Sequence, residues 1–109
     1  MSYSDLVTQI LATSNRVPAH RSEDTVFRHI VEEVGELAEE LTIATGQTYK
    51  TAGPDGVIGE SVDAIISLVD MIYVHAQRMG IQLTQEMLME IAAKKLAKWE
   101  ENVQRISNR

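Results

Sequence analysis

The chain has 109 residues, 44% of them hydrophobic, no cysteine and a formal net charge of -6. That length supports one modest core, and the missing cysteines exclude disulfides, thiolate metal sites and thiol nucleophiles. The acidic balance argues against gripping duplex nucleic acid on a broad basic surface, but a small phosphate ligand held through metal ions is compatible with it.

A single Phe and a single Trp leave the core to Leu, Ile, Val, Ala and Met, a palette that suits packed helices better than a sheet. No composition break, internal repeat or low-complexity tract divides residues 1–109, so one domain is expected. The opening MSYSDLVTQI lacks the basic region and apolar run of a signal peptide. No uncharged stretch approaches the ~18 apolar residues of a membrane span. A cytoplasmic protein without membrane contact is the expectation.

Leu6, Val7, Ile10 and Leu11 share one face and predict a first helix over 4–14, which stops before Pro18. Ser22 then offers an N-cap, with Glu23 and Asp24 in the first turn. The second helix carries Val26, Phe27, Ile30, Val31, Val34, Leu37, Ala38 and Leu41, with Gly46 as its stop. GQTYKTAGPDG, at 46–56, reads as a turn-rich loop. A third helix follows over 57–79, ended by Gly80, and Thr84 caps a fourth over 85–106 that becomes strongly charged after Ala93. VIGESVDAIISLVDMIYV is rich in β-branched residues, yet it is too long for a strand and lacks period-two alternation. The expected architecture is all-α, a four-helix-type bundle.

Two acidic patterns carry the chemistry. HIVEEVGELAEELTIATG sets Glu32, Glu33, Glu36, Glu39 and Glu40 on one helix, with Arg28 the one basic residue nearby. Like charges at helical spacing repel by about a few tenths of a kcal/mol per pair. Either this is a solvated face or something positive sits there. In the third helix, Glu60, Asp63, Ser67 and Asp70 form a polar stripe on an otherwise apolar surface, which is costly unless it is paired, metal-bound or turned to solvent. Glu33 and Glu36 stand one turn apart, and Glu60 and Asp63 repeat that spacing. Two such helices packed antiparallel would gather four carboxylates around one space, and oxygen ligands of that kind suit Mg²⁺ or Mn²⁺. The Glu-x-x-His arrangement of bundle di-iron sites is absent.

EEVGE at 32–36 and ESVD at 60–63, separated by residues 37–59, together resemble the MazG-like, all-α nucleoside triphosphate pyrophosphohydrolases. The likeness covers 27–99. That family's pattern is Glu-Glu-x-x-Glu, a spacer, then Glu-x-x-Asp. The resemblance implies Mg²⁺-dependent hydrolysis of a nucleoside triphosphate between its α and β phosphates, giving a monophosphate and pyrophosphate. It implies Glu33, Glu36, Glu60 and Asp63 as metal ligands and Glu32 just outside that set. Glu36, ahead of Glu33, is placed nearest the attacking water. AAKKLAKWEENVQR resembles the Lys-rich tail of relatives, which implies Lys95 and Lys98 as phosphate contacts, although Trp99 stands where relatives often carry Asn. Asp70 and Lys50 are further substrate-side candidates. A homodimer or homotetramer with sites bordered by more than one chain is the family expectation, and the nearly all-apolar third helix independently predicts burial against another subunit.

Other readings stay open. Phosphoribosyl-ATP pyrophosphohydrolase is a relative with similar helices and metal chemistry. A non-catalytic helical protein whose acidic stripe binds a basic partner needs no metal at all. Gly35 either admits a neighbouring helix closely or is a tolerated surface glycine. His29, one turn before Glu33, either joins the site edge or, the preferred reading, is an ordinary neutral, hydrogen-bonded histidine, and His20 and His75 have no partner pattern.

Overall fold

Several helix ends fall where local chemistry satisfies unpaired backbone groups. In the computed structural model, which describes residues 3–108, α1 spans Tyr3–Arg16, α2 Glu23–Ala44, α3 Gly56–Met79 and α4 Gln85–Ser107. The described residues contain no strand, so the chain is all-α. The Ser22 hydroxyl accepts the Thr25 N–H at 3.1 Å to open α2, and Thr84 accepts the Met87 N–H at 3.2 Å to open α4. Asp55 precedes α3 without a side-chain cap bond. Gly80 closes α3 in the left-handed region, at a φ of 68°, where a side chain would be strained. The first helix runs on to Arg16 because nothing before Pro18 interrupts its ladder.

The third helix is central. Val26 and Ile30, near the start of α2, pack on Val74, near the end of α3, so these two helices run antiparallel. On another side of α3, Val7 and Ile10 of α1 pack on Val69, while Ser14 and Asn15 bond to Asp70 and Tyr73. That progression makes α1 parallel to α3. α4 packs on α1 alone among the helices, through Leu88 against the Val7 cluster and a Thr8–Gln85 hydrogen bond.

One chain does not close this arrangement. The radius of gyration is 16.9 Å, against about 13 Å for a compact domain of this size. No residue of α4 is buried. Within a single chain Ile58, Val62, Ile65, Ile66, Leu68 and Ile72 of α3 are all exposed. Only α1 and α2 cover α3, and two neighbours cannot shield a helix that is apolar nearly all round. Among the described residues no helix is long and apolar enough to cross a membrane.

Candidate metal centre

Antiparallel packing of α2 on α3 brings the two acidic patterns level with each other. Glu33, Glu36 and Glu60 each present a carboxylate oxygen, and these oxygens lie within 4.8 Å of one another. The Glu33 side chain is only 12% exposed. Glu60 is half-buried and Glu36 is open to solvent, so the cluster has a closed inner side and an open mouth. Oε2 of Glu33 and Oε2 of Glu60 are both buried with no hydrogen-bond partner. Buried polar atoms are ordinarily paired, and a buried carboxylate oxygen without a donor is costly.

Electrostatics mark Glu60 as the strained member. Desolvation raises its pKa above the ordinary carboxylate range. The Glu36 charge and a hydrogen bond with Glu36 push it the same way, followed by the charges of Asp63 and Glu33. Carboxylates that cannot all ionise comfortably together either share protons or bind a cation. Three oxygen donors with no nitrogen or sulfur among them match the preference of Mg²⁺ or Mn²⁺.

Asp63 is not one of the three converging residues. It is exposed one turn beyond Glu60, and its charge reaches Glu60 from the edge. Glu32 is also exposed, turned away from α3 and toward His29 Nδ1 at 3.8 Å. His29 Nε2 lies 3.2 Å from Glu33 Oε1, which makes it a direct neighbour of the cluster. Glu40 continues the α2 row one turn past Glu36. Its Oε1 accepts the Gly53 N–H at 2.8 Å and pins the α2–α3 loop, while its Oε2 is buried and unpartnered. A Cβ at Gly53 would stand 2.6 Å from that Oε1, so a larger residue there would displace the Glu40 carboxylate.

The substrate-side candidates lie elsewhere. Asp70 accepts from Ser14 Oγ at 2.7 Å and pairs with Arg21 at 2.5 Å, so both its oxygens are engaged with α1 and the α1–α2 connection. Lys50 is ion-paired to Glu39 at 3.0 Å. Lys95 and Lys98 are exposed on α4, beyond the first turns by which that helix packs on α1. A single chain therefore brings neither of these two lysines to the carboxylates. Gly35 faces open space and mediates no close helix approach.

Beside the cluster, on the other side of His29, lies a cavity of about 510 Å³. Its walls mix apolar Leu6, Ile10 and Ile66 with polar Ser67, Arg21 and Asp70. The i, i+4 spacing of His29 and Glu33 is what sets the ring at the edge of the cluster, the less favoured of the two positions the sequence left open for it. Arg21 carried no such signal, because its partner lies 49 residues away.

Comparison of the chain with models of known protein families, with curated proteins and with solved structures gave no match.

Proposed function

We propose that this protein hydrolyses a nucleoside triphosphate between the α and β phosphates in a Mg²⁺-dependent reaction. The observation that carries this reading is the convergence of Glu33, Glu36 and Glu60 around buried, unpaired carboxylate oxygens. That donor set fits a hard divalent cation, Mg²⁺ or Mn²⁺, with Asp63 joining from the rim. When bound, such a cation supplies charge neutralisation at the phosphate oxygens and makes water more acidic.

The chain's own residues divide the remaining work. Glu33, held by His29, and Glu60, held in the α2–α3 packing, keep the inner carboxylates in place. Glu36 stands at the mouth, where it orients a water and takes its proton. The water oxygen bonds to the α phosphorus, the bond from that phosphorus to the bridging oxygen breaks, and pyrophosphate leaves. The cavity beyond His29 has room and mixed polarity for a nucleoside, with the Asp70-anchored Arg21 supplying fixed donors. Lys95 and Lys98 would reach phosphate only from a second subunit, and Lys50 only by leaving Glu39. A homodimer or homotetramer accordingly belongs to this reading.

Product analysis with Mg²⁺ and a panel of dNTPs, NTPs and phosphoribosyl-ATP tests it, comparing wild type with Glu36→Gln and Asp63→Asn. Monophosphate plus pyrophosphate is expected from wild type and abolished by chelation. The Glu36→Gln rate should fall by about 10²- to 10⁴-fold. Turnover confined to phosphoribosyl-ATP would move the protein to the related pyrophosphohydrolase. No turnover of any nucleotide, from folded protein that binds metal, would sink the catalytic reading and leave the acidic face to a basic protein partner.

A further inference from the structure

The carboxylate site leaves one large feature unused, the exposed face of α4. Met89, Ala92, Leu96, Trp99, Val103 and Ile106 recur at alternating spacings of three and four, the pattern of a coiled-coil seam. α1 reaches only the beginning of this helix. Beyond it the seam is open: Leu96, Trp99, Val103 and Ile106 are 58%, 66%, 44% and 65% exposed.

The flanking charges say what covers it. With Leu96 and Val103 in the first core position of the repeat, and Trp99 and Ile106 in the second, Lys95 and Glu100 fall at the two positions that border the seam. They are separated by five residues, the offset at which bordering positions of two parallel, in-register helices meet. An antiparallel pair can match the layers as Leu96 with Trp99 and Ala92 with Val103, where Lys95 borders Asn102, Glu100 borders Ala93 and no opposite charges meet. Within the C-terminal half alone it can instead match Leu96 with Ile106 and Trp99 with Val103. That second arrangement leaves Glu100 beside its own symmetry mate. Charges at these bordering positions select partner and orientation. Among the described residues neither Lys95 nor Glu100 makes an ion pair within its own chain.

We propose that a second copy of this chain covers the C-terminal half of α4, the two helices lying parallel and in register, with Lys95 of each opposite Glu100 of the other. Anchoring of α4 by α1 holds the helix ready and reduces the ordering cost that would defeat so short a seam in isolation. The inference does not rest on the hydrolase reading, and it narrows that reading: Lys95 is committed to Glu100 of the second copy, which leaves Lys98 as the lysine of this pair free to reach phosphate.

The natural chain has no cysteine, so one introduced thiol reports the geometry directly. Under mild oxidation Val103→Cys should convert most of the protein to a disulfide-linked dimer, because facing core positions of a parallel pair are within disulfide reach. Lys94→Cys, on the opposite side of α4, should remain unlinked. Lys95→Glu should raise the dimer dissociation constant about tenfold, and adding Glu100→Lys should restore it. Far-UV circular dichroism checks that each variant is still helical. Three results would overturn the proposal. One is a monomer by sedimentation at high micromolar concentration. Another is crosslinking of Trp99→Cys chains to Val103→Cys or Leu96→Cys chains in preference to like pairs, which means antiparallel helices. The last is a dimer unaffected by Val103→Asp, which places the interface on α2 or α3.

Discussion

α2 and α4 are almost the same length, 22 and 23 residues, and each carries an apolar stripe, yet the fold treats them in opposite ways. α2 packs along α3 and buries Val26 and Ile30, whereas no residue of α4 is fully buried. Their charges differ as well. α2 holds seven acidic residues (Glu23, Asp24, Glu32, Glu33, Glu36, Glu39, Glu40) against Arg28 alone. In α4, Glu86, Glu90, Glu100 and Glu101 balance Lys94, Lys95, Lys98 and Arg105. The excess of acid on α2 equals the net charge of the whole chain, so the imbalance sits on the helix that lines the candidate site. Packing without charge balance concentrates electrostatic strain at Glu60. Charge balance without packing leaves a face open to a partner.

The sharpest way to break this comparison is to remove matched apolar side chains from each helix. Ile30→Ala in α2 should destabilise the fold by ~2–4 kcal/mol in urea or thermal unfolding, because it opens a cavity against Val74. Leu96→Ala in α4, measured at high dilution where chains are separate, should change stability by no more than about 0.5 kcal/mol. Equal effects would mean that α4 is packed within its own chain.

A second and smaller effect tests how the central helix is tied to its other neighbour. Arg21→Ala leaves Asp70, only 19% exposed, with an unpaired charge. A loss of about 1–3 kcal/mol is expected. Asp70→Asn, which keeps the Ser14 contact, should cost less. The two variants combined should cost less than the sum of the single effects, and strict additivity would show that the pair does not interact.

The third prediction concerns pH. Glu60 has a folded-state pKa raised above its unfolded value, so the folded chain binds a proton more readily. Its stabilising influence is therefore complete on the acid side and is lost as pH rises from the ordinary carboxylate range through the raised folded value. In metal-free buffer Glu60→Gln should melt higher than wild type, with the gap widening as pH rises through that window. Adding Mg²⁺ should raise the wild-type melting temperature and move Glu60→Gln much less. A gap of constant size at all pH values would remove Glu60 from the strained cluster. The smallest effect is expected at the surface, where Lys50→Ala breaks only the exposed pair with Glu39 and should shift stability by under about 0.5 kcal/mol.

The residues themselves carried much of this organisation. Ser22 and Thr84 cap the helices whose starts they predict, and Gly80 ends α3, because caps and turns depend on a few adjacent residues. The same holds for Glu33 with Glu36, whose common face follows from helical spacing alone. Positions that depend on a second helix were harder. Asp63 has the same spacing from Glu60 as Glu36 has from Glu33, yet the rotation of α3 against α2 turns it to the rim. Asp70 shares the polar stripe of α3, but the approach of Arg21 and Ser14 commits it to the α1 side. Lys50 finds Glu39, and Gly35 finds nothing.

By itself, the sequence determined four helices, their caps and the face on which each carboxylate lies, since backbone hydrogen bonding and side-chain period act over a single turn. Which carboxylates meet, which oxygens lose their water and which apolar faces stay bare were decided only by the tertiary structure. The physical reason is that a side chain's surroundings depend on the rotation and spacing of whole helices. Those are set by the combined packing of residues far apart in the chain, as where Val26 and Ile30 meet Val74.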